Sequence, residues 1–322
     1  MSRLHTWNPS ELEYVSCNVC GRSEASVLLS RDDGLSLVRC SHCRLAWINP
    51  RPQFRFLQRL YDENYYSGRG DCASYSDYVQ DQLSAFRTGN HVGFRVLDRL
   101  ASFRALAHAR LLDVGCSIGT LLRIAEDRRM AAKGIDLSRY AVEYGRSRFD
   151  LDIHEGTIDN LIAPGVFDVV TFLDVIEHVP DPVATIRAAA RLLAPDGLIC
   201  FTTPNFHCYA RYGDLWPSLH KSFEHIYYFD HQTLAQAVSR AGLRALHWET
   251  FEVVSRVDRF ISLHPVLRIM HVAVKNTSGR IPALYRPAQS IWRRIKGWTV
   301  PNTKHRPPRP EDGQCLLLIA HS

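Results

Sequence analysis

Short apolar runs alternate with longer mixed stretches through the middle of this chain, the pattern of an α/β unit. The runs are Arg110-Leu-Leu-Asp113-Val, Gly134-Ile-Asp136-Leu, Phe167-Asp168-Val-Val and Gly197-Leu-Ile-Cys-Phe-Thr-Thr-Pro204. Each predicts a strand, and the stretch from Thr120 to about Met130 predicts a helix. Two later runs, Arg244 to Val253 and Gln314 to His321, predict two further strands. Near the N-terminus, Ser26-Val-Leu-Leu29 and Leu35-Ser-Leu-Val38 flank a turn at Asp32-Asp33-Gly34, which predicts a hairpin.

The first strand of the α/β unit ends in Gly115-Cys-Ser-Ile-Gly119. A glycine-rich turn lets backbone approach a ligand closely, and the helix after it offers unpaired N–H groups. The second strand then delivers Asp136, an acidic residue placed to accept from both hydroxyls of a ribose. The spacing is G-x-x-x-G, not the G-x-G-x-x-G that holds a pyrophosphate. Asp113 just before it would repel a diphosphate and favour a cationic ligand. A strand-turn-helix that binds nothing is the bland alternative.

In order and spacing, this series resembles the cofactor pocket of class I S-adenosylmethionine-dependent methyltransferases. Residues from about 105 to 245 are similar to the family that includes ubiquinone-biosynthesis O-methyltransferases and sugar methyltransferases. Phe167-Asp-Val-Val-Thr-Phe-Leu-Asp174-Val-Ile-Glu177-His178-Val-Pro-Asp-Pro182 is the part most like it. The resemblance implies a doubly wound, Rossmann-like α/β sheet of seven strands with strand seven antiparallel. It also implies cofactor-binding roles for Asp113, Gly115, Cys116, Gly119, Asp136, Leu137, Asp159 and Asp174. Where the commonest family turn has glycine this chain has Ser117, a change that a negative φ would tolerate.

Cysteine usage adds a second part. Cys17-Asn-Val-Cys20 and Cys40-Ser-His-Cys43 lie nineteen residues apart, the arrangement of a tetrahedral four-cysteine zinc ribbon. Four ligands close the shell, so the zinc would be structural; two disulfides or iron are the competing readings. His42 is expected to be a bystander. The remaining cysteines of an odd total of nine fit reduced thiols. No basic-then-apolar leader opens the chain and no apolar stretch reaches membrane-span length, so a cytoplasmic location is expected.

These features divide the chain into a ribbon at 13–50, a helical lid or linker at 51–107, a methyltransferase domain at 108–253 plus 313–322, and an insertion at 254–312. The lid carries Tyr61, Tyr65, Tyr66, Tyr75 and Tyr78, whose rings could face the sulfonium or acceptor or could simply pack. Sugar C-methyltransferases that begin with such a ribbon have a similar run there. They also have a Glu-His pair that serves proton abstraction, which here is Glu224-His225. The tyrosine two places before it is Ser222 in this chain, which leaves carbon and oxygen methylation both open, and the large C-terminal substrate domain of those enzymes has no counterpart. His178 is the second candidate base, with a structural role as its alternative.

The insertion holds twelve Lys and Arg and, up to Pro310, one acid, Asp258, in a chain whose net charge is only +6. Leu284, Ala288, Ile291, Trp292, Ile295 and Trp298 share one helical face. Such a helix could lie on the inner membrane surface, grip a phosphate-bearing acceptor, or pack on the domain with its charges solvated. The leading functional expectation is methyl transfer to a hydroxyl or carbon of a small glycosyl, polysaccharide or lipid-linked saccharide acceptor. A ribosomal-RNA or other nucleic-acid methyltransferase is the second reading. It is less favoured because the ribbon lacks a basic, aromatic reading surface. A non-catalytic cofactor- or partner-binding protein is the third.

Overall fold

A computed structural model describes residues 7–31, 33–67, 77–160, 166–213, 216–219, 224–252 and 311–321. The insertion at 254–312, apart from its last two residues, and Tyr75 and Ser222 lie outside the described residues. The elements in chain order are β1 (Leu12–Glu13), β2 (Ala25–Ser30), β3 (Ser36–Cys40), β4 (Ala46–Ile48), β5 (Arg51–Pro52), α1 (Phe54–Leu57), α2 (Glu63–Ser67), α3 (Tyr78–Arg87) and α4 (Val92–Ala101). The α/β unit follows as β6 (Arg110–Val114), α5 (Thr120–Asp127), β7 (Ala131–Asp136), α6 (Arg139–Phe149), β8 (Ile153–Glu155), β9 (Phe167–Leu173), α7 (Pro182–Leu192) and β10 (Leu193–Pro204). The last are α8 (Tyr209–Tyr212), β11 (Tyr227–Tyr228), α9 (His231–Arg240), β12 (Arg244–Phe251) and β13 (Cys315–His321).

Seven strands form one sheet in the order β12-β13-β10-β9-β6-β7-β8. Strands β6 to β10 run parallel, and β13 pairs antiparallel with both β10 and β12, as the resemblance implied. The apolar runs read as strands because alternate residues feed opposite faces. From β10, Ile199 and Phe201 enter the core shared with α7 and α9, whereas Leu198 and Cys200 enter the core shared with α4 and α5. In β13, Leu316 and Leu318 take the first face and Leu317 and Ile319 the second. Being buried on both faces, these strands read as continuous hydrophobic runs.

The chain order reverses between β6 and β9, which opens a crevice at their carboxyl ends. Helix α5 is shorter than expected and stops at Asp127. The next turn puts Arg129 at φ 61°, which ends the helix before Met130. No helix among the described residues is long and apolar enough to cross a membrane.

Strands β2, β3 and β4 form the antiparallel sheet of the four-cysteine part, the expected hairpin being β2 and β3. Its fourth strand is β11, which follows the parallel strands of the α/β unit in the sequence. The cores are likewise continuous: Leu35, Leu37, Trp47 and Ile48 belong to the same buried cluster as Phe172, Ile199 and Leu234.

Candidate functional site

The crevice between β6 and β9 deepens into a cavity of about 720 Å³. Gly115, Ser117, Thr120, Asp136, Leu137 and Asp159 line it, and so do Tyr61, Tyr65, His178, Glu224 and His225. Asp113, Cys116 and Asp174 also border it. Gly119 is absent from the wall. Its place is behind the turn, where φ is 84° and a β-carbon would strike Leu151.

Gly115 follows β6 at φ 71°, and a β-carbon there would come within 2.5 Å of Val175 Cγ2. Ser117 corrects the sequence expectation: its φ is +52°, in the left-handed region, where glycine would be at ease. The residue is held there by a hydrogen bond, because its amide donates to Asp136 Oδ2 at 2.7 Å. The other oxygen of Asp136 accepts from the Ser138 amide at 2.8 Å. Each oxygen keeps a second lone pair, so the carboxylate can still accept from a ligand's hydroxyls. Burial raises the Asp136 pKa, and these two amides oppose the rise.

Asp113 lies behind the turn, 3% exposed, with its Oδ1 accepting from Thr171 Oγ1 at 2.6 Å. Burial pushes it up to about 7, and neighbouring Asp136 adds to the rise. A cation bound nearby would restore its charge. The Oγ atoms of Ser117 and Thr120 are buried without a hydrogen-bond partner among the described residues. The turn thus combines glycine cradles, two orphan hydroxyls and two acidic residues, a donor and acceptor set that fits the amino acid and ribose ends of S-adenosylmethionine. Cys116 turns its sulfur away, against Gly134, and would meet a ligand through its backbone.

Elsewhere in the wall, Tyr65 Oη donates to Glu224 Oε2 at 3.2 Å, and Glu224 is 3% exposed. His178 Nδ1 lies 2.8 Å from the Glu224 carbonyl oxygen, which can only accept, so Nδ1 carries the proton and Nε2 is the basic nitrogen. The Tyr61 hydroxyl sits 3.2 Å from the same Nδ1. The rings of His178 and His225 stand edge to face at 4.8 Å. Glu177, His178 and His225 bring one ligand atom each within 4.8 Å of one another, a grouping that could coordinate a divalent cation.

Tyr65 and Tyr66 of α2 line this space together with Tyr61, which precedes the helix, and Tyr78, which opens α3. Tyr61, Tyr65, Tyr66 and Tyr78 form a chain of rings 5.2 to 6.1 Å apart, and Tyr66 reaches across to Tyr140 of α6. Burial beside Asp136 raises the Tyr66 phenol well above its usual range. Sequence reasoning missed His91, whose Nδ1 caps α4 and whose Nε2 meets Gln82 at 2.8 Å in the cavity wall. Burial lowers it to about 4, so it is neutral at pH 7. Its place before Val92-Gly93, at a helix start, was the available signal.

The four cysteine sulfurs lie within 4.8 Å of one another. Cys17 and Cys43 sulfurs are 3.3 Å apart and Cys20 and Cys40 sulfurs 3.5 Å, with no disulfide between them. Burial pushes the Cys40 thiol up, yet it ends lowered to about 7 because the amides of Cys43 and His42 donate to its sulfur. Burial pushes the Cys17 thiol up to about 11 and raises that of Cys43 as well, so of these three only Cys40 is low; four sulfurs gathered this closely are the donor set of a tetrahedral metal. His42 is exposed and offers only its amide.

A family model described as "Methyltransferase domain" matches residues 86–247, half of the chain. The chain belongs to this methyltransferase family. Its α/β domain is therefore that of a class I, S-adenosylmethionine-dependent methyltransferase. The ubiquinone biosynthesis O-methyltransferase of Neisseria meningitidis is 35% identical over 157 residues, which is 45% of this chain and 66% of that protein. The enzyme of the same name from Xanthomonas campestris is 40% identical over 116 residues, 34% of this chain and 48% of that protein. The chain thus spans about half to two thirds of the length of these relatives. Among solved structures, an S-adenosylmethionine-dependent methyltransferase from Archaeoglobus fulgidus is 16% identical, covering 76% of this chain and 100% of its own, with a TM-score of 0.47.

Proposed function

We propose that the protein transfers the methyl group of S-adenosylmethionine to a hydroxyl or carbon of a small glycosyl, polysaccharide or lipid-linked saccharide acceptor. The cofactor supplies a methyl already activated on a sulfonium; the chain's own residues bind, align and take a proton. Asp136 would accept from the ribose hydroxyls and Asp159 would border the adenine, while Gly115, Ser117 and Thr120 would face the amino acid end and Asp113 would offset the charge of its ammonium. Leu137, Cys116 and Asp174 complete the wall.

One observation carries the acceptor side: Tyr65, Glu224, His178 and His225 meet in the wall of the same cavity that Asp136 borders. Aromatic faces beside a carboxylate and imidazoles suit a sugar ring, which offers apolar C–H faces and hydroxyl edges. His225 removes the acceptor proton, with His178 as the other candidate, and Glu224 stabilises the cation that forms. Methyl transfer is then an in-line displacement whose rate rests on alignment.

A second reading is favoured by the tyrosine wall and the 35% identical relative. Edge-to-face and tilted rings also suit a planar phenolic acceptor, and that relative is by name an O-methyltransferase of ubiquinone biosynthesis. Incubation of zinc-replete protein with labelled cofactor against nucleotide sugars, oligosaccharides and dihydroxybenzoates tests both. Label in the sugars supports the first, label in the phenols alone the second, and label in neither removes both. The four cysteines are proposed to bind one structural zinc. The inner membrane surface remains the proposed site of any peripheral contact of the basic insertion.

A further inference from the structure

The segment after Glu224-His225 is held from two sides. On one side, the amides of Ile226 and Tyr227 both donate to the carbonyl of Glu177, each at 3.0 Å. On the other, β11 pairs with β4 in the register Tyr227 to Trp47 and Tyr228 to Ala46, and the Ile48 amide donates to Ile226 O at 3.0 Å. His178 follows Glu177 directly and His225 precedes Ile226, so this clamp spaces the two histidines.

A buried polar junction sits below it. Tyr227 is 1% exposed, and its hydroxyl accepts from Arg51 Nη1 at 2.6 Å. That hydroxyl's one proton faces Asn18 Oδ1 and the carbonyl of Pro180, at 2.5 and 3.0 Å. Arg51 also donates to Pro180 O at 2.9 Å and pairs with Glu13 at 2.8 Å. Pro180 lies two residues past His178, and Asn18 sits between Cys17 and Cys20 in the first cysteine knuckle. One cluster therefore ties the knuckle to both segments that carry the candidate bases. A ribbon serving as an independent reading module would need neither a shared sheet nor a shared core.

We infer that the metal-loaded ribbon is a positioning element for methyl transfer: through β4 and the Asn18–Tyr227–Arg51 junction it fixes Glu224-His225 against Glu177-His178. The inference rests on the proposed acceptor-side roles of Glu224, His225 and His178. Asn18, Arg51 and Tyr227 are positioning residues, since none reaches the cavity wall. Loss of the metal would free the knuckle, then Asn18, then the spacing of the bases, while Asp136 and the glycine turn stay as they are.

The test uses the full chain, with metal content by elemental analysis, amide hydrogen exchange by mass spectrometry, cofactor affinity by calorimetry, and turnover. Chelation should speed exchange at residues 226–228 by about tenfold or more, with β6 and β7 unchanged. Tyr227→Phe, with its metal retained, should raise exchange in the same segment. It should also lower kcat by about tenfold, leaving the Kd for the cofactor unchanged. Absence of metal from the purified protein, or exchange at 226–228 unmoved by both chelation and Tyr227→Phe, overturns the inference. If chelation unfolds the whole chain, Tyr227→Phe alone decides. If exchange responds as expected while Glu224→Gln and His225→Ala keep full turnover, the acceptor reading has failed and so has positioning for catalysis; exchange without response beside dead Glu224 and His225 variants sinks only the role of the ribbon.

Discussion

Tyr65 and Glu224 are 159 positions apart in sequence and joined by a hydrogen bond of 3.2 Å in the cavity. Helix α2 thereby touches, through a buried carboxylate, the segment proposed to face the acceptor. A hydrogen bond to a charged group is worth about 1.5–3 kcal/mol, so its loss should register in catalysis. Tyr65→Phe keeps the ring in place and removes only the donor. It is expected to lower kcat by about 10-fold or more with little change in cofactor Kd. Initial-rate kinetics beside calorimetry measure both, and an unchanged kcat would remove Tyr65 from the acceptor site.

Asp136 makes a different prediction, because its two oxygens hold the turn as well as the ligand. Asp136→Ala leaves the Ser117 and Ser138 amides without acceptors and Ser117 without the bond that keeps it at positive φ. Cofactor affinity should fall by more than about 100-fold, and the chain should also lose about 1–3 kcal/mol of stability. Calorimetric titration and denaturant unfolding read the two separately. Near-wild-type affinity would mean the pocket is elsewhere.

Asp113 gives a pH signature. Its folded pKa, about 7, is above the unfolded value of 3.8. The folded chain therefore binds more protons between those values, and this group's contribution to stability declines as pH rises from about 4 to about 7. A cationic ligand prefers the ionised carboxylate. Cofactor affinity should thus increase as pH rises through about 7, with proton release on binding below it. Calorimetry in buffers of different ionisation enthalpy detects that proton. Asp113→Asn should abolish both the release and the pH dependence; their persistence would assign the effect to another group.

Gly115 tests the close approach of the turn. At φ 71°, with Val175 Cγ2 2.5 Å from where a β-carbon would stand, Gly115→Ala has neither conformation nor space. A cost of about 1–3 kcal/mol is expected from the backbone alone. A thermal melt that does not shift would show that the turn relaxes. A Val175→Ala background should recover part of the loss, because it removes the clash and leaves the φ penalty.

Much of the fold was legible because its signals are local. Strand β6, the glycine turn and Asp136 sit within a short stretch, and the chemistry of each is set by near neighbours. The cysteine knuckles were legible for the same reason. The φ of Ser117 was misjudged because it depends on the Asp136 carboxylate, a partner the turn sequence does not contain. Contacts that join distant segments were invisible: Tyr65 to Glu224, the Tyr227 hydroxyl to Asn18, and β11 to β4. A two-residue strand has no periodicity to detect, and Arg51, the first residue of the expected lid or linker, is a buried cation.

The place of β13 between β10 and β12 has a consequence for biosynthesis. A ribosome delivers β12 long before its sheet neighbour, and the stretch between them is dense in Lys and Arg. Until residues 315–321 emerge, β10 presents Ile199 and Phe201 along an unpaired edge, the kind of surface that recruits strands from other chains. Strand β13 is thus the step that seals the nascent sheet, and truncations that remove it should be recovered as aggregates with the cysteine knuckles and the glycine turn already made.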